Sequence, residues 1–197
     1  MQYFDSLPKV ITLTPDGSTV LTNIMARASI IPTVYKNPLL YYTYDIQDED
    51  TPEIVAHKYY GTTYGYWVLM YTNEMMDPQW SWPLSGRNFS AYITEKYTEF
   101  DPYTTTHHYE KIITQLDNGT GTTTENIINI DVDTYNSLVE STNTYSLPTG
   151  SVVVTVTKRA VSYFDYELNE NESKRKIKIL NKSYLSQFED ELKRLML

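Results

Sequence analysis

Cysteine is absent from the 197 residues. That removes disulfides, thiolate nucleophiles and cysteine-based zinc sites together, and it fits a reducing compartment. Glycine is scarce, with seven residues, and none of them builds a phosphate-cradling loop or a nucleophile elbow. Basic residues number 16 against 25 acidic ones, for a net charge of −9. This argues against duplex nucleic acid as a partner, because phosphate binding needs clustered Lys and Arg. No hydrophobic run approaches the roughly 20 residues of a membrane span, so no membrane partner is expected. Residues 1–30 carry no basic-then-apolar export pattern, since Asp5, Lys9, Asp16 and Arg27 interrupt it. The expectation is a soluble chain made in the cytosol, on which the Asn-x-Ser/Thr matches at Asn88, Asn118, Asn171 and Asn181 are accidental.

What the chain has in excess is tyrosine, 19 residues of it. Each ring buries a large area and keeps a polar tip, which suits a core and an interface equally. The length fits one ordinary domain or a small module with additions.

Four segments follow one another. Residues 1–43 read as an arm with a hairpin. Val10–Leu13 and Thr19–Thr22 are β-favouring runs, and Thr14-Pro15-Asp16-Gly17 has the residues of a type I turn. Ile24–Ile31 is expected as a short helix ended by Pro32. In residues 44–93, Tyr41–Ile46 leads in as a strand, Thr51 caps a helix with Pro52 at its first position, and Glu53 sits in the favourable first turn. Gly61 stops that helix, a second runs from Tyr64 to Asn73 with Trp67, Met70 and Tyr71 on its apolar face, and Arg87–Ile93 closes a two-stranded sheet. Between them lies an aromatic loop, Glu74–Leu84, in which Trp80 and Trp82 serve either as a lid or as a rigid anchor for another subunit.

Residues 94–160 form a β-rich middle. Glu110–Leu116 pairs with Ile127–Val132 around the turn Asp117–Gly121, a short helix starts at Asp133 or Thr134, and Ser151–Thr157 is a strand. In residues 161–197, Lys174, Arg175, Lys176 and Lys178 alternate with apolar residues, giving a strand with one cationic and one buried face. Ser183 caps a last helix whose Leu185, Phe188, Leu192 and Leu195 make an apolar stripe. About 15 residues of helix are marginal alone in water, so it must dock.

Catalytic chemistry finds no support. His107-His108-x-Glu110 is the densest set of ligand-type residues, but neighbouring strand residues point to opposite faces and no further ligand accompanies them. Asp131 and Asp133 share a strand face without an acid–base partner, and Asp117-x-Gly119 does not continue into a calcium loop. No cofactor, no metal and no enzyme activity are expected.

The run Thr51-Pro52-Glu53-Ile54-Val55-Ala56, Tyr59-Tyr60-Gly61, Trp67-Val68-Leu69 and Asn73 resembles a LysM module, a βααβ unit known for glycan binding. Over its whole length the chain is similar to the baseplate wedge subunits of T-even-like contractile-tailed bacteriophages. The match is carried by Thr22-Asn23-Ile24, by Tyr66–Met70, by Asn73-x-x-x-Asp77-Pro78 with Trp80–Ser85, and by Asn171-Glu172-x-Lys174-Arg175-x-Ile177-Lys178-Ile179 ahead of Phe188. The resemblance implies an α+β adaptor of the virion's tail baseplate, present in six copies and assembled in the host cytoplasm. It implies contact with wedge-core subunits and with the sheath-initiating subunit. Met75, Met76, Trp80, Trp82, Lys174, Arg175, Lys176, Lys178, Phe188 and Leu192 are the candidate partner interface. The alternative is a peptidoglycan or N-acetylglucosamine groove formed by Asp48, Asp50, Thr51, Met75 and Met76; a single embedded copy ranks it second.

Overall fold

The computed structural model describes residues 3–196 except 16, 27, 31 and 149. In chain order the elements are β1 (Lys9–Thr14), β2 (Gly17–Thr22), α1 (Pro32–Tyr35), β3 (Tyr41–Asp45), α2 (Pro52–Tyr60), α3 (Tyr66–Thr72), α4 (Pro78–Ser81) and α5 (Gly86–Lys96). They continue with β4 (Thr106–Asp117), β5 (Thr122–Ile130), α6 (Val132–Ser137), β6 (Ser141–Leu147), β7 (Gly150–Ser162), α7 (Tyr163–Ser173), β8 (Lys176–Leu180) and α8 (Leu185–Met196). The class is α+β. The chain divides into two compact units, one made of Met1–Gly86 with Asn171–Leu197 and the other of Arg87–Glu170.

The first unit is built on β3, α2, α3 and β8. Thr51 caps α2 by accepting from the Ile54 N–H at 3.3 Å, and Pro52 fills the position where no donor is needed. Gly61 ends the helix in the left-handed region at φ 78°. Gly65 admits no side chain, because a Cβ there would lie 2.7 Å from the Tyr60 ring. The two helices lie against a two-stranded antiparallel sheet in which β3 pairs with β8 from Tyr41↔Leu180 to Asp45↔Lys176. The expected closing strand, Arg87–Ile93, is instead part of α5. Phe89 and Ile93, four residues apart, are its buried positions, which is a helical spacing and not an alternating one. The pairing edge of β3 goes to the basic strand, whose Ile177 and Ile179 are buried.

Asn73 fastens α3 to that strand. Its side-chain N–H donates to the Lys178 carbonyl at 2.7 Å and its Oδ1 accepts from the Lys178 N–H at 2.7 Å. Val55, Ala56, Val68, Leu69, Ile179 and Leu192 form the centre of the core. The final helix docks onto it, with Phe188 stacked on Trp67 at 6.0 Å. Its buried stripe runs through Leu192 to Met196, whereas Leu195 is 58% exposed, because steps of four keep to one side of a helix of 3.6 residues per turn. Asn181, not Ser183, provides the cap ahead of this helix, accepting from the Ser183 N–H at 3.1 Å.

The N-terminal arm forms the expected hairpin, β1 with β2, in register Lys9↔Thr22 to Thr14↔Gly17; its turn type rests on Asp16, outside the described residues. No described residue of 24–30 is helical. The helix there begins at Pro32, whose fixed φ suits a first helical position.

The second unit is a four-stranded antiparallel sheet of order β5-β4-β7-β6 with α5, α6 and α7. β4 and β5 pair around Asp117–Gly121 as the sequence predicts, and β7 is the predicted Val-rich strand. β6, fully exposed and without apolar alternation, has no counterpart in the sequence reading. Asp131 caps α6 by accepting from the Asp133 and Thr134 N–H groups.

The core predicts its own test. Ile179→Ala should lower unfolding stability by about 2–5 kcal/mol, while Leu195→Ala should stay within about 0.5 kcal/mol of the parent, as measured by urea denaturation. Equal costs would place Leu195 in the core and refute the docking described for α8.

Candidate partner-binding surface

The acidic residues of the expected glycan groove are engaged within the chain. Asp50 is buried, with one carboxylate oxygen accepting from the Tyr44 hydroxyl at 2.6 Å and the Gln47 N–H at 3.1 Å, and the other from the Lys58 ammonium. Burial opposes its charge, but the hydrogen bonds from Lys58, Tyr44 and the Gln47 N–H outweigh it and hold its pKa below the usual carboxylate value. The carbonyl of Asp50 also accepts from the Trp82 indole N–H at 2.8 Å. Asp48 accepts from Arg175 at 2.8 Å and from the Gly86 N–H at 3.1 Å. Thr51 is the helix cap already described.

The basic run does not form one cationic face. Lys174 donates to the Trp80 carbonyl at 3.0 Å. Arg175, largely buried, donates to Glu172, to Asp48 and to the Ile46 carbonyl. Lys178 lies 3.9 Å from the centre of the Tyr35 ring, a cation–π contact. Lys176 is exposed, opposite Asp45 in the ladder. Trp82, Phe188 and Leu192 belong to the core or pack on it, so of the aromatic loop it is Trp80, 53% exposed, that faces outward, with Met76 80% exposed.

Beside Met75 and Met76 lies a cavity of about 520 Å³ within the first unit, lined by both polar and apolar groups, among them Tyr3, Ile24, Ser29, Tyr35, Tyr71 and Glu74. Two features of its wall are unusual. Among the described residues the buried Tyr71 hydroxyl, like that of Tyr41, has no hydrogen-bond partner; burial, then the neighbouring Tyr3, pushes its pKa up to about 12. Glu74 has φ 55°. It occupies the left-handed position of a Schellman turn, with its own N–H on the Tyr71 carbonyl at 3.3 Å and the Met75 N–H on the Met70 carbonyl at 2.9 Å. Glycine is the usual residue there. Composition had pointed to Met75 and Met76, but Tyr71 read as a core position; the available signal was a glutamate directly after the helix-ending Asn73.

In the second unit, Glu110 accepts from Arg159 at 3.0 and 2.6 Å and lies 3.2 Å from His108 Nε2. Burial raises its pKa, but the Arg159 and His108 bonds reverse that and hold it below the usual glutamate value. His107 stacks on Tyr166 at 4.1 Å. Among the described residues no group of three His, Asp or Glu side chains is placed to hold a metal ion.

Met76 and Trp80 are thus exposed apolar side chains of the first unit, while Asp48, Asp50 and Arg175 are bonded within the chain. The family described as base plate wedge protein 53 matches residues 19–195, and the chain belongs to that family. Over 154 residues, 78% of this chain and 72% of the relative, it is 27% identical to the baseplate wedge protein gp53 of Enterobacteria phage T4. The chain is thus a structural component of a phage baseplate wedge, located in the tail baseplate of the virion. The family match begins within β2 and leaves β1 outside.

Two measurements probe this geometry. Asp50 is more acidic folded than unfolded, so its stabilisation is complete above the usual value of 3.8 and is lost as pH falls through the lower folded value. Asp50→Asn should therefore flatten the decline of unfolding free energy below pH 4, by at most about 1.4 kcal/mol per pH unit; an unchanged slope would contradict the assignment. Glu74→Gly should stabilise the isolated chain by about 1 kcal/mol by relieving the left-handed strain, and a loss of stability in the same denaturation assay would show that Glu74 is not strained.

Proposed function

We propose that this subunit is an adaptor joining wedge-core subunits as the baseplate assembles, and that it helps to form the seat of the sheath-initiating subunit, in six copies per baseplate. The observation that carries the reading is the family match across residues 19–195. The β3-α2-α3-β8 arrangement is read as LysM-like, with its second strand supplied by the C-terminal segment. Its docking surface is apolar: Met76 and Trp80 are the anchors, and aromatic anchors dominate interface energetics. Of the residues of the sugar groove, Asp50 is buried on Lys58 and Tyr44 and Thr51 caps α2, while Asp48 is bonded to Arg175 and stays largely exposed. This favours a protein-contacting role for the unit over a sugar-binding one.

Trp80→Ser combined with Met76→Ser should leave the melting temperature within a few degrees. It should weaken entry into a co-expressed wedge complex by roughly thirtyfold, the equivalent of about 2 kcal/mol. Retention of the wild-type chain on peptidoglycan, with no wedge complex formed, would reverse the order of the two readings.

A further inference from the structure

The motif His107-His108-x-Glu110 has no part in the partner surface, and a β-bulge brings it together. Along the β4–β7 ladder Thr106 faces Ser162 and His108 faces Val161, so two residues of β4 are spent on one of β7 and His107 is the extra residue. In a regular strand the two rings would point to opposite faces. The bulge turns them together instead, with His107 Nδ1 2.8 Å from His108 Nδ1. Each ring has a further partner. His107 stacks on Tyr166 at 4.1 Å and meets Tyr163 edge to face at 4.8 Å, both on α7. His108 Nε2 lies 3.2 Å from Glu110 Oε1, while Arg159 holds Glu110 Oε2.

Counting donors and acceptors locates the protons. The Glu110 carboxylate is buried on Arg159 and ionised, so its oxygens only accept, and His108 Nε2 carries a hydrogen. In the neutral pair His108 Nδ1 is then an acceptor, and the hydrogen between the rings belongs to His107 Nδ1. One added proton leaves the contact intact, because a single N–H still lies between the two Nδ1 atoms whichever ring is charged. A second would set two N–H groups head to head at 2.8 Å, where neither can accept. We propose that the pair is a proton-counting latch between β4 and α7, closed with no proton or one proton added and opened by the second. The charged and titratable groups around it are Glu110 on β4, Arg159 on β7, and Tyr163, Asp165 and Tyr166 at the start of α7, with Asp165 accepting from the Ser162 hydroxyl. Beside the bulge the Tyr163 N–H donates to the Thr105 carbonyl at 3.2 Å, so rings forced apart act on the bond that ties α7 to the start of β4.

Nitrogen NMR on the full chain with isotope-labelled histidine reads each step. At about pH 8, where histidine is ordinarily neutral, His107 should carry its hydrogen on Nδ1 and His108 on Nε2, with a nitrogen–nitrogen coupling through the hydrogen bond between the two Nδ1 atoms. On acidification the coupling should persist while the pair takes its first proton and vanish with the second. Protection of the Tyr163 amide, corrected for the intrinsic effect of pH on exchange, should then fall about tenfold, as for one lost hydrogen bond. His107→Phe keeps a ring on Tyr166 and removes the shared hydrogen. In that variant His108 should titrate in a single step, and the acid loss of Tyr163 protection should disappear.

A neutral His107 with its hydrogen on Nε2, or no coupling at about pH 8, overturns the proton assignment and the latch with it. Coupling lost with the first proton overturns the count, and so does a chain that unfolds before the second proton binds. Tyr163 protection that is unchanged by the second proton, or that falls equally in His107→Phe, shows that the contact has no hold on α7 and overturns the latch. The wild-type spectra decide the assignment and the count even if the variant fails to fold. None of these outcomes touches the adaptor reading.

Discussion

The antiparallel pairing of β3 with β8 is the constraint on which the first unit depends. Without β8, the core would lose Ile177, Ile179 and Leu180, and Asn73 would lose both of its hydrogen bonds to the Lys178 backbone. The pairing is strongly non-local: the Arg175 guanidinium reaches the Ile46 carbonyl 129 residues away in sequence. Closing so long a loop costs only logarithmically more than a short one, but the cost falls before any core contact repays it. The sheet of the first unit therefore needs β8, whereas the second unit is continuous from Arg87 to Glu170.

The same non-local closure explains where the charges went. Arg175 lies at the entrance of β8 and is pinned by Glu172, Asp48 and the Ile46 carbonyl. Asp50 collects Lys58, Tyr44 and a backbone N–H, and its carbonyl holds the indole of Trp82. Buried with three donors, the Asp50 carboxylate offers little surface to an external hydroxyl. The pairs sit around the β3 exit and brace the loop after it. Exposed ion pairs add little stability, but a buried carboxylate with three donors is expensive to disturb.

Features that depend on a few adjacent residues were legible in the sequence. Thr51, Pro52 and Gly61 mark α2 because capping is a contest among neighbours only, and the β1–β2 hairpin and the β4–β5 pair announce themselves through short turns. The basic–apolar alternation of Lys176–Leu180 correctly gave a strand. What alternation does not encode is the partner strand, and a familiar βααβ order led to Arg87–Ile93 although Phe89 and Ile93 already had helical spacing. β6, Ser-Thr-Asn-Thr-Tyr-Ser-Leu, was illegible because it buries nothing and is held by backbone bonds to β7. The candidate surface was half legible. Met75, Met76 and Trp80 stand out by composition, whereas the burial of Trp82 and Phe188 and the left-handed backbone of Glu74 depend on packing that a sequence does not display.

Burial sorts the aromatic loop in a way that bears on assembly. Trp80 and Trp82 are two residues apart, yet Trp82 is locked by a hydrogen bond to Asp50 while Trp80 is half exposed. Lys174 ties the Trp80 carbonyl to the segment leading into β8, so the loop carrying the outward ring is braced on both sides. A rigid aromatic side chain loses little conformational entropy when a partner covers it. Glu74 is held by its Schellman turn at the start of the same loop. Trp80 is thereby held in place by bonds within the chain, and for a structural subunit such preorganised apolar surface serves contact better than additional surface charge.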